Sequence, residues 1–137
     1  MLTVPKTDLY VLALTAIGEA RGEGAQGMEA VMDTVMNRTA KCTWYGLTPT
    51  EVCFKPWQYS CWNAEDPNRA YLERMQPTDP LLAGMLPTAQ SVLDGSRADL
   101  TGGATHYYRA GTKPPVWAVN LAPCKIIGNH LFFNNVP

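Results

Sequence analysis

GEARGEGAQGMEAVMDTVMNR, Gly18 to Arg38, is the stretch on which the fold turns. Its second half repeats Met28, Val31, Met32 and Val35 at helical spacing, with Glu29, Asp33 and Asn37 on other faces. That pattern predicts a helix from Gln26 onward with a core-facing stripe. Its first half closes an earlier helix. Asp8 is placed to cap that helix, and Leu12, Ala16 and Ile17 recur on one side, so it is expected from about Leu9 to about Arg21, where Gly22 and Gly24 loosen it.

Further along, Thr48-Pro49-Thr50-Glu51, Asp66-Pro67 and Asp79-Pro80 each place a capping oxygen before a proline, the start signal of a helix. The last should run to about Asp94 and close at Gly95, with a kink or break at Pro87. After Gly102-Gly103 the pattern changes. Thr105–Tyr108, Val116–Val119 and Leu131–Phe133 are short β-prone runs divided by Gly, Pro and Asn. The fold class expected is therefore mainly α (α+β), a helical body completed by a small β element near the C-terminus.

The chain has 137 residues, 46% hydrophobic and 17% charged, a balance suited to one domain that buries its apolar surface unaided. No linker, repeat or low-complexity stretch divides it, so residues 1–137 are expected to form a single domain, acting as a monomer. The formal charge of -1 supplies no basic field, which argues against a nucleic-acid partner. Met1–Asp8 lacks the pattern of a secretory signal and Leu9–Ile17 is too short to span a bilayer. The expectation is a protein made in the cytoplasm, without stable membrane insertion. Four Trp, six Tyr and three Phe offer flat faces with hydrogen-bonding tips, which suit a sugar groove.

Cys42, Cys53, Cys61 and Cys124 do not follow C-x-x-C spacing, and His106 and His130 are the only histidines, so no metal and no cofactor is expected. Around the aromatic-rich loop that holds the first three cysteines, one disulfide and buried free thiols stand as equal alternatives. None of the four is near Glu19 in sequence, so a reductant should alter stability more than activity.

Glu19 and Glu23 are the candidate chemistry. Glu19 follows Ala16 and Ile17, so its carboxyl can sit at the edge of the core, where desolvation prepares a proton donor. Glu23, between two glycines, should be wetter, and the glycines make a shared helical face with Glu19 doubtful. Read locally, an ion pair of Glu19 with Arg21 or Arg38 ranks ahead of catalysis.

The wider pattern reverses that order. GEARGEGAQGMEAVMDTVMNR, then WQYSCW, LDGSRADLTGGATHYY and IGNHLFF closely resemble the SleB-like family of cell-wall hydrolases, which includes spore-cortex-lytic enzymes and phage lysins. The resemblance runs from about Leu12 to Phe133. It implies a lysozyme-like fold, peptidoglycan as partner, and cleavage of the β-1,4 bond between N-acetylmuramic acid and N-acetylglucosamine, usually by lytic transglycosylation. It places the catalytic carboxylate at Glu19 and substrate contacts at Gln58, Tyr59, Ser60, Gly103, Ala104, His106, Tyr107 and Tyr108, with Tyr107 or Tyr108 favoured to stabilise developing charge. It further implies a phage endolysin released to the wall by a holin, and the lack of a linker or repeat adds the expectation of no separate wall-binding module.

Three alternatives accompany this reading. A hydrolytic muramidase would need a second carboxylate, for which Glu23, Asp33 and Asp99 are candidates. A zinc peptidase would draw on His106 and His130. A wall-binding module without activity would have no reason to retain Glu19. Cys42–Cys61 and Pro87 depart from the family's usual sequence, which leaves the course of those stretches open.

Overall fold

A computed structural model describes all residues, 1–137. Helix α1, Asp8–Ala20, is its axis, with Val11, Leu12, Ala13, Leu14, Thr15, Ala16 and Ile17 all buried. A helix apolar on every side must be enclosed, and α2 (Gly24–Lys41), α3 (Pro49–Phe54), α4 (Pro67–Glu73) and α5 (Pro80–Leu93) pack round it. Each of Leu12, Leu14 and Ile17 contributes roughly 1.5–3 kcal/mol by leaving water. The stripe of Met28, Val31, Met32 and Val35 on α2 lies in the same core.

The three expected proline starts are real. Thr48 accepts the Glu51 N–H at 3.1 Å, Asp66 that of Asn68 at 2.8 Å, and Asp79 those of Leu81 and Leu82 at 2.9 and 3.4 Å. At α1 the cap position belongs to Thr7, not Asp8. Asp8 is the first helical residue, and its carboxylate accepts the backbone N–H and the hydroxyl of Thr50, tying α1 to α3. Pro87 does not break α5, which runs from Pro80 to Leu93. Pro87 and Ala83 are both exposed, so the carbonyl that loses its partner faces water.

Helix α1 ends at Ala20, and a 3-10 turn over Arg21–Glu23 leads to Gly24 at φ 79°, ψ -176°, a conformation open essentially to glycine alone. The regular continuation that would align Glu19 with Glu23 is therefore absent.

The β element is a three-stranded antiparallel sheet of β1 (His106–Arg109), β2 (Lys125–Ile127) and β3 (His130–Phe133) in the order β1-β3-β2. Tyr107 pairs with Phe132 and Tyr108 with Leu131. Phe132 packs with Ala104 and with Ala30 of α2, which seats the sheet on the helices. Val116–Ala118 is a 3-10 turn, not a strand, because Pro114 and Pro115 precede it without ladder donors and Val116 stands 91% exposed. Strand β2 has no sequence signal beyond two adjacent isoleucines.

Glu29 and Asp33, expected on polar faces of α2, are buried. The loop after α5 covers them: Arg97 grips Glu29 through two bonds of 2.8 and 3.1 Å, and Leu100 donates its N–H to Asp33 at 2.9 Å. Burial there pushes the Asp33 carboxyl up to about 7. All four cysteines are free thiols, and burial raises the Cys53 thiol to about 12.

Candidate active site

The last turn of α1 meets the 3-10 turn Ser60–Trp62 at an unusually close distance, and Gly18 permits it. A Cβ there would lie 2.7 Å from Cys61 Cβ and 2.7 Å from Leu72 Cδ1. This approach sets the Cys61 N–H 3.0 Å from Glu19 Oε2, with the Ser60 hydroxyl at 3.3 Å on the same oxygen. From the sheet, the Tyr107 hydroxyl donates to Glu19 Oε1. Burial, and then the Glu19 charge, hold the Tyr107 phenol well above its ordinary range, so it remains a donor. Cys61, distant from Glu19 in sequence, touches it in space, and its sulfur lies against Gly18.

The ion pair open to Glu19 is not made. Arg21 donates to the Ile17 carbonyl and stacks on Tyr71, and Arg38 turns elsewhere. Arg38 continues the buried stripe Val31–Val35 of α2, where a cation replaces the next apolar residue. It donates to the Thr105 carbonyl at 2.6 Å and to Gln58 Oε1 at 2.7 Å, and lies over the rings of Tyr45 and Tyr59. Asn37 beside it donates to the Ala104 carbonyl at 2.8 Å and to Asp99 at 2.9 Å. The end of the first motif thus pins the second and third motifs against α2.

Around Glu19 opens a cleft of about 360 Å³, lined by Glu19, Arg38, Trp44, Pro56, Trp57, Gln58, Ser60, His106, Tyr107 and Trp117. Glu19 is the one carboxylate among them. Trp57, 85% exposed, and Trp44, 65% exposed, supply flat faces at its rim. Burial, and then Arg38, lower His106 to about 4, so it is neutral at neutral pH.

Of the residues expected to touch substrate, Gln58, Ser60, His106 and Tyr107 line the cleft. Gln58 is fully committed within the protein, donating to the Tyr45 and Val52 carbonyls while accepting from Arg38. Tyr59 is 1% exposed, with its hydroxyl 2.9 Å from that of Thr34, while its neighbours Gln58 and Ser60 line the cleft. Ala104 is buried against Phe132, and Gly103 directs its N–H to Asp99. Tyr108 stacks on Phe133 and meets Trp117 edge-on, outside the cleft lining. Trp44, Trp57 and Trp117 were not singled out from sequence, and Arg38 only as a possible ion-pair partner of Glu19. The misplaced cation in the α2 stripe was a usable signal for Arg38. Tryptophan exposure, set by tertiary packing, left none.

The candidates for a second carboxylate are occupied. Glu23 accepts the Asn129 N–H at 2.6 Å and its side-chain amide at 3.2 Å, bonds that hold its carboxyl below the usual range. Asp99 accepts from Thr101, Gly103 and Asn37, organising the loop before β1. Asp33 is under the Leu100 turn. His106 sits against Trp117 while His130 lies behind Tyr107, and no group of three ligating side chains forms around either.

A helical body with a small antiparallel sheet thus closes a single carboxylate into an aromatic-rimmed cleft. Residues 22–133 match the family described as Cell Wall Hydrolase, and the chain belongs to that family. Glu19 itself lies just before the matched span. The chain is similar to the spore cortex-lytic enzyme of Halalkalibacterium halodurans, 30% identical over 127 residues, which are 93% of this chain and 34% of that protein. It is 28% identical over 128 residues to the spore cortex-lytic enzyme of Oceanobacillus iheyensis, covering 93% of this chain and 41% of that one. The chain therefore spans well under half the length of these relatives.

Among solved structures, the catalytic domain of the Bacillus cereus SleB protein superposes with a TM-score of 0.70 at 24% identity, over 92% of this chain and 88% of that one. The catalytic domain of the germination-specific lytic transglycosylase SleB from Bacillus anthracis gives 0.72 at 23%, over 96% and 97%. The fold is the one these domains share.

Proposed function

We propose that this chain cleaves the β-1,4 bond between N-acetylmuramic acid and N-acetylglucosamine in peptidoglycan as a lytic transglycosylase, with Glu19 as acid and then base. The observation that carries this is that Glu19 is the sole carboxylate lining the cleft. The family membership and the spore cortex-lytic relatives support the substrate class.

In the proposed reaction, protonated Glu19 gives its proton to the glycosidic oxygen, the C1–O bond breaks, and N-acetylglucosamine leaves with a free 4-hydroxyl. The Glu19 carboxylate then takes the proton of the muramoyl 6-hydroxyl, whose oxygen closes on C1 to form the 1,6-anhydro sugar. Both oxygens of Glu19 contact a hydroxyl, Tyr107 on one and Ser60 on the other. A hydroxyl can rotate between donating and accepting, so Tyr107 and Ser60 can stay bonded to Glu19 before and after it gives up its proton. Trp57, Trp44 and Trp117 offer stacking faces for sugar rings.

Mass spectrometry of digested sacculi tests the reading: muropeptides should end in 1,6-anhydro-N-acetylmuramic acid, lighter by one water than hydrolysis products. Reducing N-acetylmuramic acid ends would establish a muramidase instead, and free stem peptides with intact glycan would reject both. The biological setting proposed is that of a phage endolysin made in the host cytoplasm, supported by the four-motif resemblance; host lysis only on co-expression with a holin tests it.

A further inference from the structure

Next to the cleft lies a second concavity of about 280 Å³ that shares Pro56 and Trp57 with it and extends to Arg69 on α4. Lys55, Asn63 and Trp62 also line it, and no carboxylate does. Trp57 is the partition between the two spaces. Its φ of 72° puts a bulky residue in the left-handed region, which side chains of that size rarely occupy, while the indole itself stands in solvent. The core gains nothing from such a placement, and outliers of this kind gather where a ligand is met.

The two cations are unequally engaged. Lys55 donates to the Trp44 carbonyl. Arg69 donates through Nη1 to the Trp62 carbonyl at 3.2 Å, and its Nε lies 3.7 Å from Glu73. Its Nη2 has no protein partner, and 43% of the side chain is exposed. A guanidinium so placed offers a planar fork to an incoming carboxylate, beside the flat faces of two indoles.

We propose that this second concavity is a subsite for the acidic stem peptide carried on the lactyl group of the muramoyl residue in the cleft. The proposal rests on the glycan reading of that cleft. The lactyl group branches sideways from the sugar ring, so a strand laid in the cleft sends its peptide over a rim. Trp57 is the rim that leads into a space whose charged lining residues, Lys55 and Arg69, are both cations. The free carboxylates of the peptide match Arg69 and Lys55 in charge, and the exposure of both cations makes the attraction salt-sensitive.

The probe is the N-acetylated tetrapeptide L-alanyl-γ-D-glutamyl-L-lysyl-D-alanine, its N-terminus blocked as it is on the lactyl group, titrated into 15N-labelled protein. It should move the Trp57 indole N–H signal, while the same peptide with amidated carboxyls should not. Arg69→Gln should remove the shift and Arg69→Lys, which keeps the charge but not the fork, should leave a weaker one, with thermal unfolding confirming that both variants fold. In parallel, wild type should cleave stem-bearing glycan about tenfold faster than the same glycan stripped by an amidase, and Arg69→Gln should bring that ratio near one by slowing only the stem-bearing reaction. An unmoved Trp57 signal, or an unchanged ratio in folded Arg69→Gln, overturns the subsite. A peptide-dependent shift without any glycan cleavage supports the subsite and defeats the transglycosylase reading. Glycan cleavage without a shift does the reverse.

Discussion

Glu19 and Glu23 belong to one GEARGE run, yet the two ends of that run are built differently. At the α1 end, Glu19 faces the cleft and accepts from two side-chain hydroxyls and one backbone N–H. In the following turn, Glu23 points at the hairpin between β2 and β3 and clamps Asn129 through backbone and side chain. The Gly128 backbone lies so close that an added Cβ would meet Glu23 Oε1 at 2.6 Å. One carboxylate faces the cleft with two hydroxyls that can rotate between donating and accepting; the other is held by amide donors alone. The lesson is that spacing in a motif does not assign roles. A break in the helix after Ala20 sends two identical side chains to opposite tasks.

The largest expected effect breaks this comparison if it fails. Glu19→Gln should lower the rate of muropeptide release by at least about 1000-fold while the unfolding temperature stays within about 3 °C, since the amide oxygen still accepts from Cys61. Glu23→Gln, assayed alongside, should cost only about threefold, because one acceptor for the Asn129 N–H survives. An inactive Glu23→Gln beside an active Glu19→Gln would exchange the two roles.

Between those extremes lie two variants of the Glu19 surroundings. Tyr107→Phe removes the donor on Oε1 and should slow release about 10- to 100-fold with little loss of fold, which rate and unfolding measurements together can separate. Gly18→Ala forces Cys61 and Leu72 away from α1, so roughly 1–3 kcal/mol of stability and about tenfold of activity should be lost. Retained activity in Gly18→Ala would show that the Cys61 N–H is not needed at Glu19.

The smallest expected effect concerns a third carboxylate, on the covered face of α2. Asp33 keeps its proton up to about 7 in the folded chain against an ordinary 3.8, so its contribution to stability is complete below about pH 4 and lost as pH rises through 7. Asp33→Asn should therefore unfold a few degrees higher than wild type at pH 8, with the gap closing toward pH 4 and activity unchanged. Burial lowers His106 to about 4, and its contribution has the opposite sign, present above about pH 6.5 and lost on acidification. A melting series across pH in both proteins separates the two groups.

Much of this was legible in the sequence. The buried run Val11–Ile17, the Met28–Val35 stripe and three oxygen-proline starts express local periodicity and capping, which fix helices before tertiary contacts form. Glu19 was singled out through its motif, and the fold places it in the cleft. What escaped was decided by packing between distant segments. The polar face of α2 became interior only because Arg97 and Leu100 close over Glu29 and Asp33. Val116–Ala118 lost its strand to the neighbouring prolines, and Tyr59 turned inward because Thr34 offered its hydroxyl a partner. Trp44, Trp57 and Trp117 were among the aromatics suited to a sugar groove, but only the fold distinguished them by placing them round one carboxylate.

Digestion of purified sacculi in 18O-labelled water tests the central claim, a single carboxylate working through the substrate's own hydroxyl, most directly. Closure of O6 on C1 takes no oxygen from solvent, so mass spectra of the newly formed muramoyl ends should carry no 18O. Stoichiometric label at C1 would mean that water is the nucleophile, and the one-carboxylate account of the cleft would be contradicted.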